Sequence, residues 1–375
     1  MRTAIVSDLH LGVTSGEDVL RLPEIRRLLL EEIAAADQVV LLGDVVELRE
    51  LALGVALDSA RPFFEELGEA LAGREVTIVP GNHDHRLAEP LLDRLSLAGV
   101  SELELEQHDE PETGGAGATI AAWLGPARLR ISYPGLWLRD DVYATHGHYM
   151  DAHLSVPRPE CLATATLIRV RGPLPTAATP ADYERVLRPI YGLSFGVAQA
   201  RASIPNPRRP PGETAWRALG GGRKADGTAR RLRASALRTA FPGGIWAINR
   251  LLRSDFDTDV SAAAIFAAGV EAATEAAARL RVDGGHVITG HTHRGGPNDD
   301  EASWPLRGGG ALHNTGSWVF ASAFHSPGDP PNSYWPGTVT WVEESGPPRR
   351  VQLLRDRSHP EMVELISRSR SASPR

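Results

Sequence analysis

Apolar residues along the 375-residue chain recur with two different periods. The runs "RTAIVSD" (2–8), "QVVLLGD" (38–44) and "EVTIVPGNHD" (75–84) are short and nearly all apolar until each stops at a polar cluster. That pattern predicts short β-strands. Between them, "EIRRLLLEEIAAA" and "ARPFFEELGEALAG" place apolar residues at helical spacing, with Gly73 as the expected C-cap of the second. The first hundred residues therefore read as β-α-β-α-β. Two later runs, "DDVYATHGH" (140–148) and "GGHVITGHTH" (284–293), repeat the strand pattern. Each of the five strands is expected to deliver Asp, Asn or His at its end.

The segment between the fourth and fifth runs is far longer than a connecting loop needs. "ADYERVLRPIYGLSFGVAQA" and "GTARRLRASALRTA" read as helices. "RVRGPLPTAATP" and "SIPNPRRPPGE" are proline-broken connectors, and "DVSAAAIFAAGVEAATEAAARLRVD" is a long alanine-rich helix leading back to the core. Past residue 293, "ALHNTGSWVFASAF", "GTVTWVEE" and "RRVQLL" are expected to be strands completing a second sheet, with Trp318, Trp335 and Trp341 as packing groups. "SRSRSASPR" is expected to be a disordered tail. The expected organisation is a core of residues 1–154 and 284–356, a mostly helical basic insertion or cap at 155–283, and a partly disordered C-terminal tail at 357–375.

Composition changes this picture in two ways. The formal net charge is −7, yet residues 158–253 hold 17 basic against 5 acidic side chains, which points to an anionic partner for that stretch. Within it, Trp246 near Arg250 and Arg253 is a candidate substrate contact, because arginine forks onto phosphate while an aromatic covers an apolar portion. A solvated face is the competing reading. The single cysteine, Cys161, excludes an internal disulfide and a four-cysteine zinc site. No run reaches the roughly 18 apolar residues of a membrane span, and the start lacks the build of a signal peptide, so a cytoplasmic protein is expected. Contact with a membrane surface stays open.

The chemistry sits at the strand ends, where open α/β sheets place their ligand sites. Asp8, His10, Asp44, Asn82, His83, Asp84, His146, His148, His291 and His293 would converge there. Carboxylate, imidazole and amide oxygen without thiolate suit manganese, iron or zinc rather than copper(I) or iron–sulfur clusters.

In sequence order, "DLH" (8–10), "GDVVE" (43–47), "GNHD" (81–84), "HGH" (146–148) and "GHTH" (290–293) resemble the five blocks of the calcineurin-like metallophosphoesterases. The resemblance covers residues 2–150 and 284–355. It implies an α/β fold, a four-layer αββα sandwich of two mixed β-sheets flanked by helices, here with a helical insertion. It also implies two divalent metal ions, manganese first, with iron, zinc, nickel or cobalt as alternatives. Asp8, His10 and His293 would hold one ion, Asn82, His146 and His291 the other, and Asp44 would bridge them. The implied reaction is hydrolysis of a phosphomonoester, phosphodiester or pyrophosphate by a metal-bound hydroxide, with His83 assisting the leaving group and Asp84 orienting His83. Glu47, His148 and Asn314 are expected to support the ligands or contact substrate. His85, His153 and His313 have weaker claims.

Substrate is less determined. "GDVVE" and "NTGSW" after "GHTHR" are similar to the branch of the UDP-2,3-diacylglucosamine pyrophosphohydrolases. That branch usually carries arginine where this chain has His83, and aspartate where it has His148. A phosphorylated small molecule, a nucleotide or a lipid-linked substrate bound under the insertion is therefore expected, and nucleic acid is not. A non-catalytic scaffold of the same fold is the rival class.

Overall fold

The computed structural model describes residues 1–111, 114–202, 241–298, 300–321, 324, 325, 328 and 331–372. Its centre is built from three tetrads, β1 (Thr3–Val6), β2 (Gln38–Leu41) and β3 (Glu75–Ile78), which pair in parallel. β1 and β2 are buried at every position, as continuous apolar runs require when both faces are covered. Helix α1 (Pro23–Ile33) links the first two strands, starting on Pro23 and burying Ile25, Leu29 and Ile33 four residues apart. Helix α2 (Leu53–Ala70) links the next two. It packs against α4 (Gly115–Leu124) so closely that a Cβ on Gly68 would sit 2.0 Å from the Leu124 carbonyl oxygen. The short helix α3 (Glu89–Leu97) follows the third strand-end loop.

Strand β5 (Arg128–Arg139) joins the two halves of the sheet. Its first part pairs with β3 and with β4 (Glu106–Asp109), and its second part pairs with β6 (Val142–Thr145). From there β7 (His286–Thr289) and β9 (Ala311–Asn314) continue in parallel, with the two-residue β8 (Trp304–Pro305) at the edge. β10 (Thr338–Val342) and β11 (Arg349–Gln352) return to the other edge, where β10 lies antiparallel to β1. The result is a mixed α/β fold on a large curled sheet, with Ile5, Val40, Leu42, Leu136, Val142 and Ile288 forming the core between its halves.

Two expectations change and one holds. The strands after residue 310 do not all complete the second half: only β9 does, because β10 has the open edge of β1 to pair with. Trp318, Trp335 and Trp341 do pack in the core, at 0%, 2% and 0% exposure. The expected tail is helical through residue 372, with Met362 and Ile366, one turn apart, buried in the N-terminal core.

The described part of the insertion packs on the sheet. Helices α5 (Pro159–Arg171), α6 (Pro180–Ala202), α7 (running through 241–252) and α8 (Ala262–Leu280) share one apolar cluster with Tyr143, Val287 and Leu312 of the sheet. Helix α8 is capped by Ser261, whose hydroxyl accepts from the Ala264 N–H, and it buries an alanine face. The connector at 203–213 and the helix expected at 227–240 lie outside the described residues, as do nine of the 17 basic side chains.

Candidate metal centre

The loops after β1, β2, β3, β6 and β7 converge, and their backbones are strained where they do. Among the described residues seven non-glycine positions have positive φ, and five of them are Asp8, His10, Asp44, His291 and His293. Side chains avoid that region, so such a concentration marks a place where geometry is imposed for chemistry. The approach is too close for any side chain at Gly290, where a Cβ would lie 2.4 Å from Asp8 Oδ2. At Gly43, whose φ is +81°, it would lie 2.2 Å from His146 Nδ1.

The side chains form two groups around Asp44. Asp8, His10 and His293 bring one ligand atom each to within 4.8 Å of one another, and so do Asp44, His146 and His291. Asn82 joins the second group, its Oδ1 lying 3.2 Å from His146 Nε2. Asp44 Oδ2 lies 3.3 Å from His146 Nε2 and 3.6 Å from His10 Nε2.

Three of the four imidazoles are oriented by a second hydrogen bond. His10 Nδ1 donates to Glu47 Oε2 (3.0 Å), His146 Nδ1 to the Leu42 carbonyl (2.9 Å) and His291 Nε2 to Asp151 Oδ1 (2.9 Å). Those bonds fix which nitrogen of each ring is left for a metal once any proton on it is displaced. His10 Nε2 then faces His293 Nε2 at 3.1 Å, with Asp8 Oδ1 3.4 Å from the latter. Lone pairs so converged need a proton or a cation between them. The donor set fits a divalent metal.

The electrostatics agree. Burial works against charge on His10, but Glu47, Asp44 and Asp8 outweigh it and hold that ring up to about 9. For His146 burial is likewise outweighed, by Asp44 above all, and the ring stands at about 10. Burial dominates at His293 and takes it down to about 4. Asp44 is held well below the carboxylate range: burial opposes its charge, and His146 and His83 more than offset that. The cluster is an anionic hollow that loads protons onto some of its ligands, as a cation site does without its ion.

His83 stands at the open face, its side chain 26% exposed against 2% for Asp44. Its Nδ1 donates to Glu47 Oε2 at 2.6 Å, and its backbone N–H donates to Asp44 Oδ1 at 2.8 Å. Asp84, expected to orient this ring, does not touch it. Its carboxylate accepts backbone N–H bonds from Gly81 (2.7 Å), Val45 (2.7 Å) and Asp44 (3.2 Å), so it ties the second and third loops together from beneath. The side chain of residue 84 follows the turn inward, and Glu47 takes the orienting place from the neighbouring loop.

Asn314 braces the fifth loop. Its Nδ2 donates to the Gly290 carbonyl (2.6 Å) and to Thr292 Oγ1 (3.1 Å). His148 is buried and turned away from the ligands, with Nε2 3.2 Å from the Tyr133 hydroxyl. His85 pairs with Glu184, His153 with Tyr183 and His313 with His286. Trp246 is 66% exposed on α7, and Arg250 and Arg253 are exposed with it. None of these three reaches the cluster, because α7 docks through Ile245 on its opposite side. Asp151 was missed. It lies five residues past His146 in "HGHYMDAH", and the one available signal is a carboxylate close behind a ligand histidine.

A search of curated proteins finds no match to the chain. The model of the calcineurin-like phosphoesterases matches residues 1–172, the stretch that carries Asp8, His10, Asp44, Asn82, His83 and His146 and runs on through α5.

Proposed function

We propose that the protein is a hydrolase of phosphoester bonds that works with two divalent metal ions, one held by Asp8, His10 and His293, the other by Asn82, His146 and His291, with Asp44 between them. The observation that carries the reading is the convergence of these seven side chains, with Asp44 3.6 Å from His10 and 3.3 Å from His146, on loops strained at five of the seven positions. Bound ions would supply Lewis-acid polarisation of a phosphoryl oxygen and activation of water. The remaining work falls to the protein's own side chains. Glu47 holds His10 and His83 through the same oxygen, Oε2, so it couples the position of a ligand to that of the open histidine. With Nδ1 engaged there, His83 has Nε2 4.0 Å from Asp44 Oδ2, beside the place a phosphoryl group would take, to stabilise charge on it or to protonate the departing oxygen. Asp151 and the Leu42 carbonyl keep His291 and His146 in register without contacting substrate.

The test is reconstitution of chelator-treated protein with manganese, followed by metal analysis and a screen of aryl phosphomonoesters and phosphodiesters. Two ions per chain and turnover with at least one class are expected. One ion or none per chain, or two ions with no hydrolysis of any ester, would overturn the reading in favour of a scaffold.

A further inference from the structure

His291 belongs to two places at once. One side of it faces the ligand cluster, and the other forms part of the wall of a cavity of about 860 Å³. That volume is in the range of ligand pockets and far above the voids left by ordinary packing. The cavity runs away from His291 and Thr292 between the segment after β6 and the inner face of α8. Leu162, Ile265, Phe266, Val270 and Trp304 give it hydrocarbon and aromatic walls.

Charged side chains in the lining are Arg158, Asp259 and Arg294. Arg158, exposed at the first turn of α5, lies within electrostatic range of Asp151, the partner of His291. Arg294 lies against the Phe266 and Trp304 rings and is paired with Glu301. Thr258, Asp259, Ser261, Asn314 and Tyr334 add polar atoms to the lining, but a purine or pyrimidine lying along Leu162, Ile265, Phe266 and Val270 would bury polar edges against hydrocarbon, at about 1–3 kcal/mol each. A hydrocarbon would lose nothing.

We propose that this cavity binds the alkyl or isoprenoid chain of an amphiphilic phosphoester, whose phosphate lies at the Asp44 cluster with Arg158 beside the anionic end. The proposal rests on the phosphoesterase reading and adds the substrate class to it. The throat is Gly269 of α8. A Cβ there would stand 3.6 Å from Met150 Cε and 3.9 Å from Thr292 Cγ2, which is ordinary contact. A methyl group therefore fits at Gly269, and a leucine side chain fills the passage beside His291.

The experiment is a series of alkyl 4-nitrophenyl phosphodiesters from ethyl to tetradecyl, each below its micelle concentration, with manganese-loaded protein. KM is expected to fall about fourfold per added methylene, the equivalent of about 0.8 kcal/mol, until the cavity is full, with kcat changing little. Gly269→Leu should lower the ratio of dodecyl to ethyl kcat/KM by more than tenfold. If that variant does not fold, Gly269→Ala, which removes a flexible residue from a helix, should fold and shift the same ratio less. A second readout uses chelated protein. Dodecyl phosphonate should bind with a negative heat-capacity change and ethyl phosphonate should not. Chain-length-dependent binding without hydrolysis of any ester would overturn the phosphoesterase reading and leave the cavity assignment standing. Hydrolysis at equal kcat/KM from ethyl to dodecyl would overturn the cavity assignment alone.

Discussion

The ligand cluster and the apolar cavity share a wall at His291, yet they are held in opposite ways. The cluster is rigid by construction: five loops at strand ends, positive φ at five of its residues and a hydrogen bond behind each of three imidazoles. The cavity is bounded by helices that meet through alanine and aliphatic side chains, with few polar ties across it. Bond-making needs sub-ångström placement and tolerates strain to get it, whereas recognition of a hydrocarbon needs only shape and dryness. If this division is right, substitutions in the cluster change rate and metal content, and substitutions in the insertion change which ester is used.

The most severe break should come from Asp44→Asn. The amide still accepts the His83 N–H bond, but it cannot neutralise two cations, so turnover should fall on the order of 10⁴-fold or more. Bound metal should fall with it, as read by elemental analysis after gel filtration. Turnover close to that of the parent protein would mean that Asp44 is not shared.

His83→Ala should cost about 10²–10⁴-fold in kcat, the range of a general acid, while metal content stays nearly constant. Comparing esters with good and poor leaving groups sharpens this. If both lose equally, His83 steadies the phosphoryl group instead of protonating the leaving oxygen.

Acidity separates the two regions without mutation. In the metal-free chain His10 stands at about 9 and His146 at about 10, so both carry protons at neutral pH that a metal must displace. Apparent affinity for each ion should rise with pH, by up to about tenfold per unit between pH 6 and 8, and level off above 9–10. The metal-free fold runs the other way. Both pKa values are raised on folding, so their contribution to stability is full below about 6.5 and fades as pH climbs through 9–10. Chelator competition reads the first slope and thermal melting of metal-free protein the second. Dodecyl phosphonate binding to metal-free protein tests the boundary, because most of the walls the chain meets are uncharged.

What could be read from the sequence follows the same division. "DLH", "GDVVE", "GNHD", "HGH" and "GHTH" are local signals, since each packs a strand and its own polar end into one short run, and their order gave the approach of Asp8, Asp44, Asn82, His146 and His291. Residues that act through another element were less visible. Glu47 was found, but its hold on His83 was assigned to Asp84, because sequence adjacency says nothing about which way a carboxylate turns after a tight loop. Glu47→Gln should accordingly lower metal affinity or turnover by about 10–100-fold. Asp84→Ala should instead remove about 1–3 kcal/mol of stability in urea unfolding, through the N–H groups it leaves buried. The cavity had no sequence signature. Met150, Phe266 and Trp304 are far apart in the chain and meet only because α8 folds its alanine face against the sheet.

The smallest expected effect is the sharpest check on how the insertion works. Charge and an adjacent aromatic made Trp246, Arg250 and Arg253 the natural anionic contact, yet all three are exposed on or just after α7, and none lines the cavity or the cluster. Trp246→Ala should leave the dodecyl-to-ethyl ratio within about twofold and stability within about 0.5 kcal/mol, as substitutions on an open surface generally do. Arg250→Ala should behave alike. Arg158→Ala, at the cavity rim, should raise KM for every anionic ester severalfold while leaving the increment per methylene unchanged, because an ion contact and a hydrocarbon contact on separate parts of one substrate add independently. A tenfold loss in Trp246→Ala confined to long-chain esters would place the hydrocarbon along α7. It would show that recognition in this protein spreads over the outer face of the insertion and is not confined to the space behind His291.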